Sequence, residues 1–451
     1  MEERTRDGDD LVEFAEMLRG GGATDRAARA IDPAARRRRR RRGLIASAVV
    51  AVVVLAPPAG YAAWALNAPL RAPLAAITAP SAPAAPPAAD IRFAPDGVAA
   101  LSVAGAEAYL GPEAAGVWAR YGDDEPRPIA SITKLVTALV VLDAFPLADA
   151  SDVGPTLTFD RADHALYDAY FVRDATIAAM PAGSSMSLRD ALATMLVPSA
   201  SNYAEVIAVW AFGSVDGYRR AADRWLSARG LERTTIVEPT GLDPRNTSTP
   251  TDLIALGRLA KADPTVSAIA ATPSVSFPAT GPLANTNRML GEMGIDGLKT
   301  GTLEDSGSNL LYSATVDVGT AEPLRVIGVA LGGASQQAVG ASAAGVLQRL
   351  AAGFHRTALA QPGQRIGTYT TAWGSSLDVV LAEGASLLTW SDTPIVVEMQ
   401  HREPVEWVDG ETIGEVTWTA GPETDSTPVV LEGMIEPPTA WWRLTHPGEI
   451  G

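Results

Sequence analysis

The segment that most limits what this chain can fold into is an uncharged stretch near its N-terminus. Twenty-four residues from Gly43 to Leu66 carry no charged side chain, and seven consecutive arginines, Arg36–Arg42, precede them. A helix of that length measures about 36 Å, which is enough to cross a bilayer with some tilt. Arginine-rich flanks stay on the cytoplasmic side. The sequence therefore predicts a cytoplasmic tail over residues 1–42, a transmembrane helix over 43–66 and an extracytoplasmic remainder.

Two alternatives to a retained membrane anchor stay open. Ala63-Trp64-Ala65 has the small residues of a signal-peptide cleavage site, and Arg41-Arg42 loosely resembles a twin-arginine signal. The leader before the apolar segment is long for either signal, so we favour the anchor. All three interpretations put the rest of the chain outside the cytoplasm. Pro57 and Pro58 are expected to kink the helix or to end it early.

Changes in composition divide the remaining sequence further. The tail is charged and is expected to be mobile, with the spacing of one short amphipathic helix at residues 11–18. Residues 67–90 are dominated by Ala and Pro, which favour extended polyproline II and cannot pack a core, so they predict a semi-rigid linker. A mixed region follows at 91–358, and residues 359–451 consist of short alternating runs separated by turn residues, which are typical of a small all-β domain.

The mixed region contains both kinds of secondary-structure pattern, which predicts an α+β fold. Helices are predicted at Ile132–Leu142, over Leu188–Arg229 with a break at Pro198-Ser199, and at Gln336–Phe354. In the first of these the valines would also allow a strand. Strands are predicted at Ala99–Val103, Ala106–Leu110, Leu310–Val316 and Leu324–Leu331. In the all-β region strands are predicted at Ile366–Thr371, Leu377–Leu381, Ile395–Gln400, Ile413–Thr419 and Val429–Glu432.

Composition argues against several classes of function. The chain has no cysteine, and its four histidines are scattered without metal-ligand spacing. Thiolate catalysis and Cys-ligated metals are therefore unavailable, and a zinc hydrolase or a Ser-His-Asp hydrolase is improbable, since no Gly-x-Ser-x-Gly elbow is present either. Acidic residues outnumber basic ones by 52 to 36, which argues against a nucleic-acid partner.

Ser131 and Lys134 stand three residues apart where the first long apolar run begins. On a helix, positions i and i+3 are neighbours, so the two side chains would meet. A buried lysine amine can take the proton of a serine hydroxyl, and a helix N-terminus offers N–H groups to an oxyanion. The alternative is a capping serine beside a lysine that reaches to solvent.

Two further polar clusters have possible roles in chemistry. The sequence Lys299-Thr300-Gly301-Thr302 suits recognition of a carboxylate by an ammonium and a hydroxyl, or is an ordinary turn into a strand. The sequence Ser199-Ala200-Ser201-Asn202 breaks a helical region, where it could serve only as a helix cap.

Taken together, the three clusters resemble the penicillin-recognising serine enzymes. The order is Ser-x-x-Lys, then a serine-containing triplet, then Lys-Thr-Gly. The surrounding residues are similar to the low-molecular-mass penicillin-binding proteins, which are D-alanyl-D-alanine carboxypeptidases; they include Leu196-Val197-Pro198-Ser199, Pro239-Thr240-Gly241-Leu242-Asp243 and Asn285-Thr286-Asn287. The resemblance implies an antiparallel sheet flanked by helices, with a helical subdomain, followed by an accessory β domain.

The resemblance also implies a role for each residue. Ser131 would be the nucleophile, Lys134 its general base, and Ser199 the relay of a proton to the leaving amine. Lys299 and Thr300 would hold the terminal carboxylate, with Gly301 beside them, and the N–H groups of Ser131 and Thr302 would form the oxyanion hole. No metal or other cofactor is implied. The family triplet is Ser-x-Asn, so either Ser201 replaces the asparagine or a shifted loop brings Asn202 into the site.

The resulting expectation is a membrane-anchored enzyme of the bacterial envelope that removes the terminal D-alanine from peptidoglycan stem peptides and is acylated by β-lactams. One alternative is a β-lactamase, although Glu238 lacks the residues that follow the deacylating glutamate of class A enzymes. The other is a catalytically silent membrane-anchored binding or scaffold protein, which the departure at Ser201 would favour.

Overall fold

The computed structural model describes residues 33–93 and 96–451. The predicted amphipathic helix at residues 11–18 lies outside these ranges. By its internal contacts the chain forms two compact units. One comprises the described part of Met1–Leu74 with Thr370–Ser375 and Glu436–Gly451, and the other comprises Ala75–Tyr369 with Ser376–Ile435. The domain boundaries predicted from composition stay a prediction.

The helices of the described ranges, in chain order, are α1 Pro33–Asn67, α2 Glu107–Leu110, α3 Thr133–Ala144, α4 Arg161–Phe171, α5 Leu188–Leu196, α6 Ser201–Phe212, α7 Val215–Ala228, α8 Pro250–Ala262, α9 Pro264–Ala270, α10 Gln336–Ala352 and α11 Ala440–Thr445. The strands are β1 Leu74–Ile77, β2 Val98–Ala104, β3 Ala119–Tyr121, β4 Arg127–Pro128, β5 Thr156–Thr158, β6 Ser185–Ser187, β7 Thr247–Ser248, β8 Ser274–Phe277, β9 Gly281–Ala284, β10 Ile295–Leu303, β11 Gly307–Val316, β12 Leu324–Gly333, β13 Phe354–Ala360, β14 Arg365–Thr370, β15 Ser376–Leu381, β16 Ala385–Trp390, β17 Val396–His401, β18 Thr412–Ala420 and β19 Glu423–Glu432.

A five-stranded sheet organises the mixed region, with the strand order β10-β11-β12-β2-β3. Each strand of this sheet is antiparallel to its neighbours. One apolar core joins α3 and the helices around it to one face of the sheet, and a second core joins the opposite face to α10. Strand β10 therefore lies at the edge of the sheet, where a peptide could pair with it.

The β region contains a six-stranded sheet in the order β1-β14-β15-β19-β18-β17, and β13 pairs with β16. Side chains from alternate positions, among them Val379, Ile413 and the fully buried Trp418, form its core. This alternation is the pattern from which an all-β region was predicted. The α+β class is confirmed.

Helix α1 belongs to the first unit and runs without interruption through Pro57 and Pro58. The expectation that these prolines end the helix early is therefore wrong. They remove two backbone donors, but the apolar residues on both sides continue the helical hydrogen bonding. Among the described residues, Ala34–Asn67 is the one helix long and apolar enough to cross a membrane. A signal sequence meets the same criterion, so the retained anchor stays a prediction.

Two local predictions are corrected. Ala106–Leu110 is not a strand, because residues 107–110 form α2, with Leu110 N–H donating to Ala106 O at 2.8 Å. Its Ala, Glu and Leu residues favour a helix, and glycines at 105 and 111 end the extended chain on both sides. The Ala/Pro linker is not an unpaired spacer throughout, because its residues 74–77 form β1, which pairs with β14. Just after β1, Thr78 N–H donates to Ile366 O at 3.0 Å.

Candidate active site

Ser131 lies at the start of the most deeply buried helix of the mixed region. A 3₁₀ turn, Ala130–Ile132, leads directly into α3, in which every residue from Thr133 to Leu142 is buried. Ser131 is half-buried, and Lys134 follows it by one turn. The Lys134 Nζ lies 3.0 Å from the Ser131 Oγ. The predicted i, i+3 neighbours therefore meet within hydrogen-bonding distance.

The Lys134 ammonium has no access to solvent, and three groups surround it. Besides Ser131, it donates to the carbonyl oxygen of Thr240 at 2.6 Å and to the Ser201 Oγ at 3.3 Å. Burial lowers the pKa of Lys134 to about 7, against a smaller opposing effect of the Glu238 carboxylate. At neutral pH a large share of this amine is therefore unprotonated, as a general base requires.

The loop that supplies the Thr240 carbonyl is organised around Glu238. The carboxylate of Glu238 accepts the backbone N–H of Thr240 at 2.7 Å and of Gly241 at 2.6 Å, and the side-chain amide of Asn246 at 2.7 Å. Thr137 of α3 donates to the Pro239 carbonyl at 2.8 Å. Helix α3 thus holds the loop at two successive carbonyls, and Glu238 fixes its shape.

Gly241 and Gly301 permit close approach to the nucleophile from two sides. A Cβ atom on Gly241 would lie 2.0 Å from the Ala130 carbonyl oxygen, and one on Gly301 would lie 3.0 Å from the Ser131 nitrogen. Gly241 also has a φ of +86°. Gly301 packs against the Ser131 turn, and Thr302 follows it on the edge strand β10. The backbone N–H groups of Ser131 and Thr302 are therefore the natural candidates for an oxyanion hole.

The Ser199–Asn202 segment is split between the site and the core. The Ser201 Oγ contacts Lys134, whereas the Asn202 side chain is fully buried and bonds Ala178, accepting from its N–H at 3.1 Å and donating to its carbonyl at 2.8 Å. Of the two alternatives, the geometry brings Ser201 and not Asn202 to the lysine. Ser199 is largely buried with a φ of +72°, and its side chain has no hydrogen bond to a residue within the described ranges.

Lys299 and Thr300 form a polar cluster with a third residue, Thr286. The hydroxyls of Thr286 and Thr300 are 2.7 Å apart, and the Lys299 Nζ lies 3.4 Å from the Thr286 Oγ1 and 3.1 Å from the Thr300 carbonyl. Burial lowers the pKa of Lys299, and the charge of Lys134 lowers it further. An anionic ligand would restore the charged form of Lys299, which suits a carboxylate-binding group.

The sequence did not single out several residues that shape this site. Thr240 contacts Lys134 across 106 positions and Thr286 contacts Lys299 across 13, and these two stand in motifs that were noted only for their resemblance. Asn246 bonds Glu238, eight positions away. Asn309 on β11 is another: its side-chain amide donates to the Pro128 carbonyl at 3.1 Å and so ties the approach to Ser131 to the sheet. Only the motif context could have pointed to Thr240 and Thr286.

Residues 111–335 match the family model described as D-alanyl-D-alanine carboxypeptidase, peptidase family S11. This part of the chain belongs to that family. A D-alanyl-D-alanine endopeptidase of Pseudomonas aeruginosa is 31% identical over 198 residues, which cover 42% of this chain and 60% of that protein. The D-alanyl-D-alanine carboxypeptidase DacC of Escherichia coli is 29% identical over 218 residues, covering 46% of this chain and 51% of that protein. The chain thus spans between half and three fifths of the length of these relatives.

A solved structure supports the fold. Penicillin binding protein 6B from Escherichia coli superposes with a TM-score of 0.50 at 21% identity, covering 76% of this chain and 99% of that protein. The penicillin-binding-protein fold with a following β region, which the resemblance implied, is confirmed.

Proposed function

We propose that this protein is a serine D-alanyl-D-alanine carboxypeptidase that acts on peptidoglycan stem peptides through an acyl-enzyme on Ser131. The observation that carries the proposal is the contact of 3.0 Å between the Ser131 Oγ and the buried Lys134 Nζ, whose pKa is lowered to about 7. A nucleophile beside a buried amine of lowered pKa is an arrangement that supports acyl transfer without a histidine.

In this mechanism Lys134 takes the Ser131 proton as the Oγ attacks the carbonyl of the penultimate D-alanine. The tetrahedral oxyanion is stabilised by the N–H groups of Ser131 and Thr302. The C–N bond then breaks, and the leaving amine receives a proton through a hydroxyl. The family pattern assigns that relay to Ser199, and Ser201, whose Oγ lies 3.3 Å from the Lys134 Nζ, would take the place of the family's asparagine. Water finally hydrolyses the acyl ester and regenerates Ser131.

The substrate carboxylate would bind beside Lys299 and Thr300, with Thr286 as a further hydroxyl donor. These three groups form one hydrogen-bonded cluster on and beside the edge strand. A carboxylate accepting from an ammonium and two hydroxyls gains charge-assisted hydrogen bonds. Peptides that end in a free carboxylate are therefore the expected substrates, and β-lactams, which carry a similar carboxylate, are expected to acylate Ser131.

The environment of Glu238 argues against the β-lactamase alternative. Both of its oxygens accept hydrogen bonds from the loop itself, at 2.6 to 2.7 Å from Thr240, Gly241 and Asn246. A carboxylate engaged in this way is a poor base for a deacylating water. Labelling with a fluorescent penicillin separates the alternatives: a carboxypeptidase stays labelled for a time, a β-lactamase turns the label over, and a scaffold protein is not labelled.

A second candidate, a D,D-endopeptidase that cuts cross-linked stem peptides, is favoured by a cavity beside the carboxylate cluster. The cavity measures about 500 Å³ and is lined by Thr286 and Thr300, by the apolar side chains of Met289 and Leu310, and by the exposed guanidinium of Arg288. A leaving D-alanine needs room for only a methyl group. The leaving group of a cross-linked substrate has an alkyl side chain that leads to the carboxylate of a second peptide. The alkyl chain would pack against the apolar wall, and the carboxylate would pair with Arg288.

The two candidates are separated by leaving-group preference. Full-length protein is given a stem pentapeptide or a cross-linked dimer of stem peptides, and kcat/KM is compared for the parent and for Arg288→Gln. Arg120→Gln, which changes another exposed arginine on β3, serves as the control. An endopeptidase prefers the dimer and loses that preference in Arg288→Gln alone, whereas a carboxypeptidase prefers the pentapeptide and responds to neither substitution.

We also propose that helix α1 anchors the protein in the cell membrane, with the catalytic region outside the cytoplasm. Seven arginines lie at the start of α1, and the apolar side chains that follow are more than half exposed, for example Leu44, Val53 and Leu55. Such a surface fits lipid better than water. Protease added to spheroplasts tests this orientation. A tag fused before Met1 should resist the protease, whereas the folded region should be cleaved.

A further inference from the structure

The side chain of Gln336 contacts the edge strand β10 at the two residues that follow Thr300. Its Nε2 donates to the Gly301 carbonyl at 2.8 Å and to the Thr302 Oγ1 at 2.9 Å. The same nitrogen lies 3.3 Å from the carbonyl of Asn309 on the neighbouring strand β11. Carbonyl oxygens can only accept hydrogen bonds, so the amide nitrogen of Gln336, and not its oxygen, faces them. One side chain thus bridges the two strands at the level of Gly301.

The start of α10 fixes the position of Gln336. Ser335 caps this helix, and its hydroxyl accepts the N–H of Ala338 at 3.1 Å, so Gln336 is the first helical residue. The turn from β12 into α10 is tight, because a Cβ on Gly333 would lie 2.4 Å from the Val339 side chain. Val339 itself belongs to the core that joins α10 to the sheet. The backbone of Gln336 is therefore held by a cap and by a packed core, and its side chain reaches β10 from the side of α10.

The carbonyl of Gly301 and the N–H of Thr302 belong to one peptide group. A trans peptide is planar, and its carbonyl and N–H point in opposite directions. Gln336 holds the carbonyl on the side of β11, since the same nitrogen also contacts the Asn309 carbonyl of that strand. The Thr302 N–H is thereby directed away from β11, toward the open edge of the sheet.

This peptide group lies beside the nucleophile. Gly301 packs against the turn that carries Ser131, where a Cβ on Gly301 would lie 3.0 Å from the Ser131 nitrogen. A hydrogen bond prefers an angle at the donor above about 150° and weakens steeply below about 120°. A tilt of the peptide group by about 30° would therefore weaken one of the two N–H donors that face an oxyanion formed at Ser131.

We propose that Gln336 is a positioning residue of the oxyanion hole, which acts by fixing the peptide plane between Gly301 and Thr302. This role rests on the proposed function, because it requires a tetrahedral oxyanion at Ser131. Gln336 acts through the Thr302 N–H and not on the substrate. The carboxylate-binding cluster around Lys299 has hydrogen bonds of its own, so ground-state binding of a peptide does not depend on Gln336.

The test compares binding of the tetrahedral state with binding of the ground state in the full-length protein. Gln336→Met keeps the approximate length of the side chain without an N–H donor, and Gln336→Glu keeps its shape but replaces the donor by an acceptor. Gln337→Met is the control, since Gln337 is exposed and lines the same cavity as Gln336.

Two measurements report on the tetrahedral state. One is the second-order rate of labelling by a fluorescent penicillin, and the other is the affinity for a boronic acid analogue of D-alanine. Ser131 adds to the boron with one B–O bond formed, its proton passes to Lys134, and no group leaves, so the adduct is tetrahedral like the reaction intermediate. The ground state is measured as the dissociation constant of intact pentapeptide, with each substitution placed in Ser131→Ala.

Gln336→Met and Gln336→Glu should slow labelling and weaken boronic acid binding by about tenfold or more, because one oxyanion donor is misdirected. The dissociation constant of the pentapeptide should stay within about twofold of the parent value, which also shows that β10 is intact. Gln337→Met should change none of the three quantities.

Unchanged labelling and boronic acid affinity in both Gln336 variants would overturn the proposed role. A pentapeptide affinity that falls by the same factor would also overturn it, because Gln336 would then support the whole strand. A parent protein that neither is labelled nor binds the boronic acid would refute the proposed function and this role with it, whereas a labelled parent with unaffected variants would refute this role alone.

Discussion

The pH dependence of acylation follows from the lysine that faces Ser131. Lys134 is the proposed base, and burial lowers its pKa to about 7 from the ordinary lysine value of 10.5. Only the neutral amine can accept the Ser131 proton, so the rate should be constant above this pKa and should fall as the pH decreases below it. The charged groups that face Lys134 are Glu238, which raises its pKa, and Lys299, which is itself affected by Lys134.

The size of the effect is set by the fraction of neutral amine. With a pKa of about 7, that fraction is about one half at pH 7 and falls roughly tenfold for each pH unit below, to about 1% at pH 5. Acylation should therefore be about fiftyfold slower at pH 5 than at pH 7. A lysine with its ordinary pKa would instead leave the rate rising throughout the range from pH 7 to 10.

The assay is the second-order rate of labelling by a fluorescent penicillin between pH 5 and pH 9, at constant ionic strength. Glu238→Gln removes the carboxylate that holds the Lys134 pKa up, so its acidic limb should move to lower pH. Glu232→Gln, an exposed glutamate, should leave the profile unchanged. Thermal unfolding of each variant checks that the loop is intact. A flat profile between pH 5 and 7 in the parent, or a limb that moves to higher pH in Glu238→Gln, would refute the assignment of Lys134.

Three further predictions concern the remaining parts of the site. Gly301→Ala should slow penicillin labelling by at least about a hundredfold, because its Cβ would lie 2.9 Å from the Ala130 Cβ and displace the nucleophile; a normal rate would mean that this approach is not needed. Ser201→Asn should raise the rate of acylation by about fivefold or more, because the longer side chain reaches Lys134 better. Asn202→Ala should have little effect on acylation but should lower the free energy of unfolding, measured in denaturant melts, by about 1–3 kcal/mol. The reverse pattern would put Asn202 in the site. Amidating the C-terminus of a peptide substrate should slow its hydrolysis far more in the parent than in Lys299→Ala, and equal losses would exclude Lys299 from carboxylate binding.

The parts of the fold that the sequence predicted well are those in which neighbouring residues decide the outcome. The α3 helix follows from an apolar run without Gly or Pro, and the strands of the β region follow from alternation. The prediction that Pro57 and Pro58 end the helix early is wrong because a helix can lose two backbone N–H donors and continue. Residues 106–110 were misjudged because five residues between glycines do not reveal a period, and β1 was missed because Ala and Pro show no alternation.

The site was predictable to the extent that its motifs are local. Ser131 and Lys134 are one helical turn apart, so spacing alone brings them together. The Thr240 carbonyl, which lies 106 positions from Lys134, and Thr286, 13 positions from Lys299, join the site only through the tertiary fold. A backbone carbonyl also leaves no mark in a sequence, since every residue has one. The choice between Ser201 and Asn202 depended on which side of α6 faces α3, which the sequence left open.

The central claim is that Ser131 is the acylated nucleophile, and one measurement addresses it directly. The full-length protein is treated with penicillin, stopped with acid, digested, and analysed by peptide mass spectrometry for the mass of the bound drug. The account predicts one modified peptide with the adduct on Ser131, no adduct in Ser131→Ala, and almost none in Lys134→Ala. An adduct on Ser199 or Ser201, or undiminished labelling of Ser131→Ala, would contradict it.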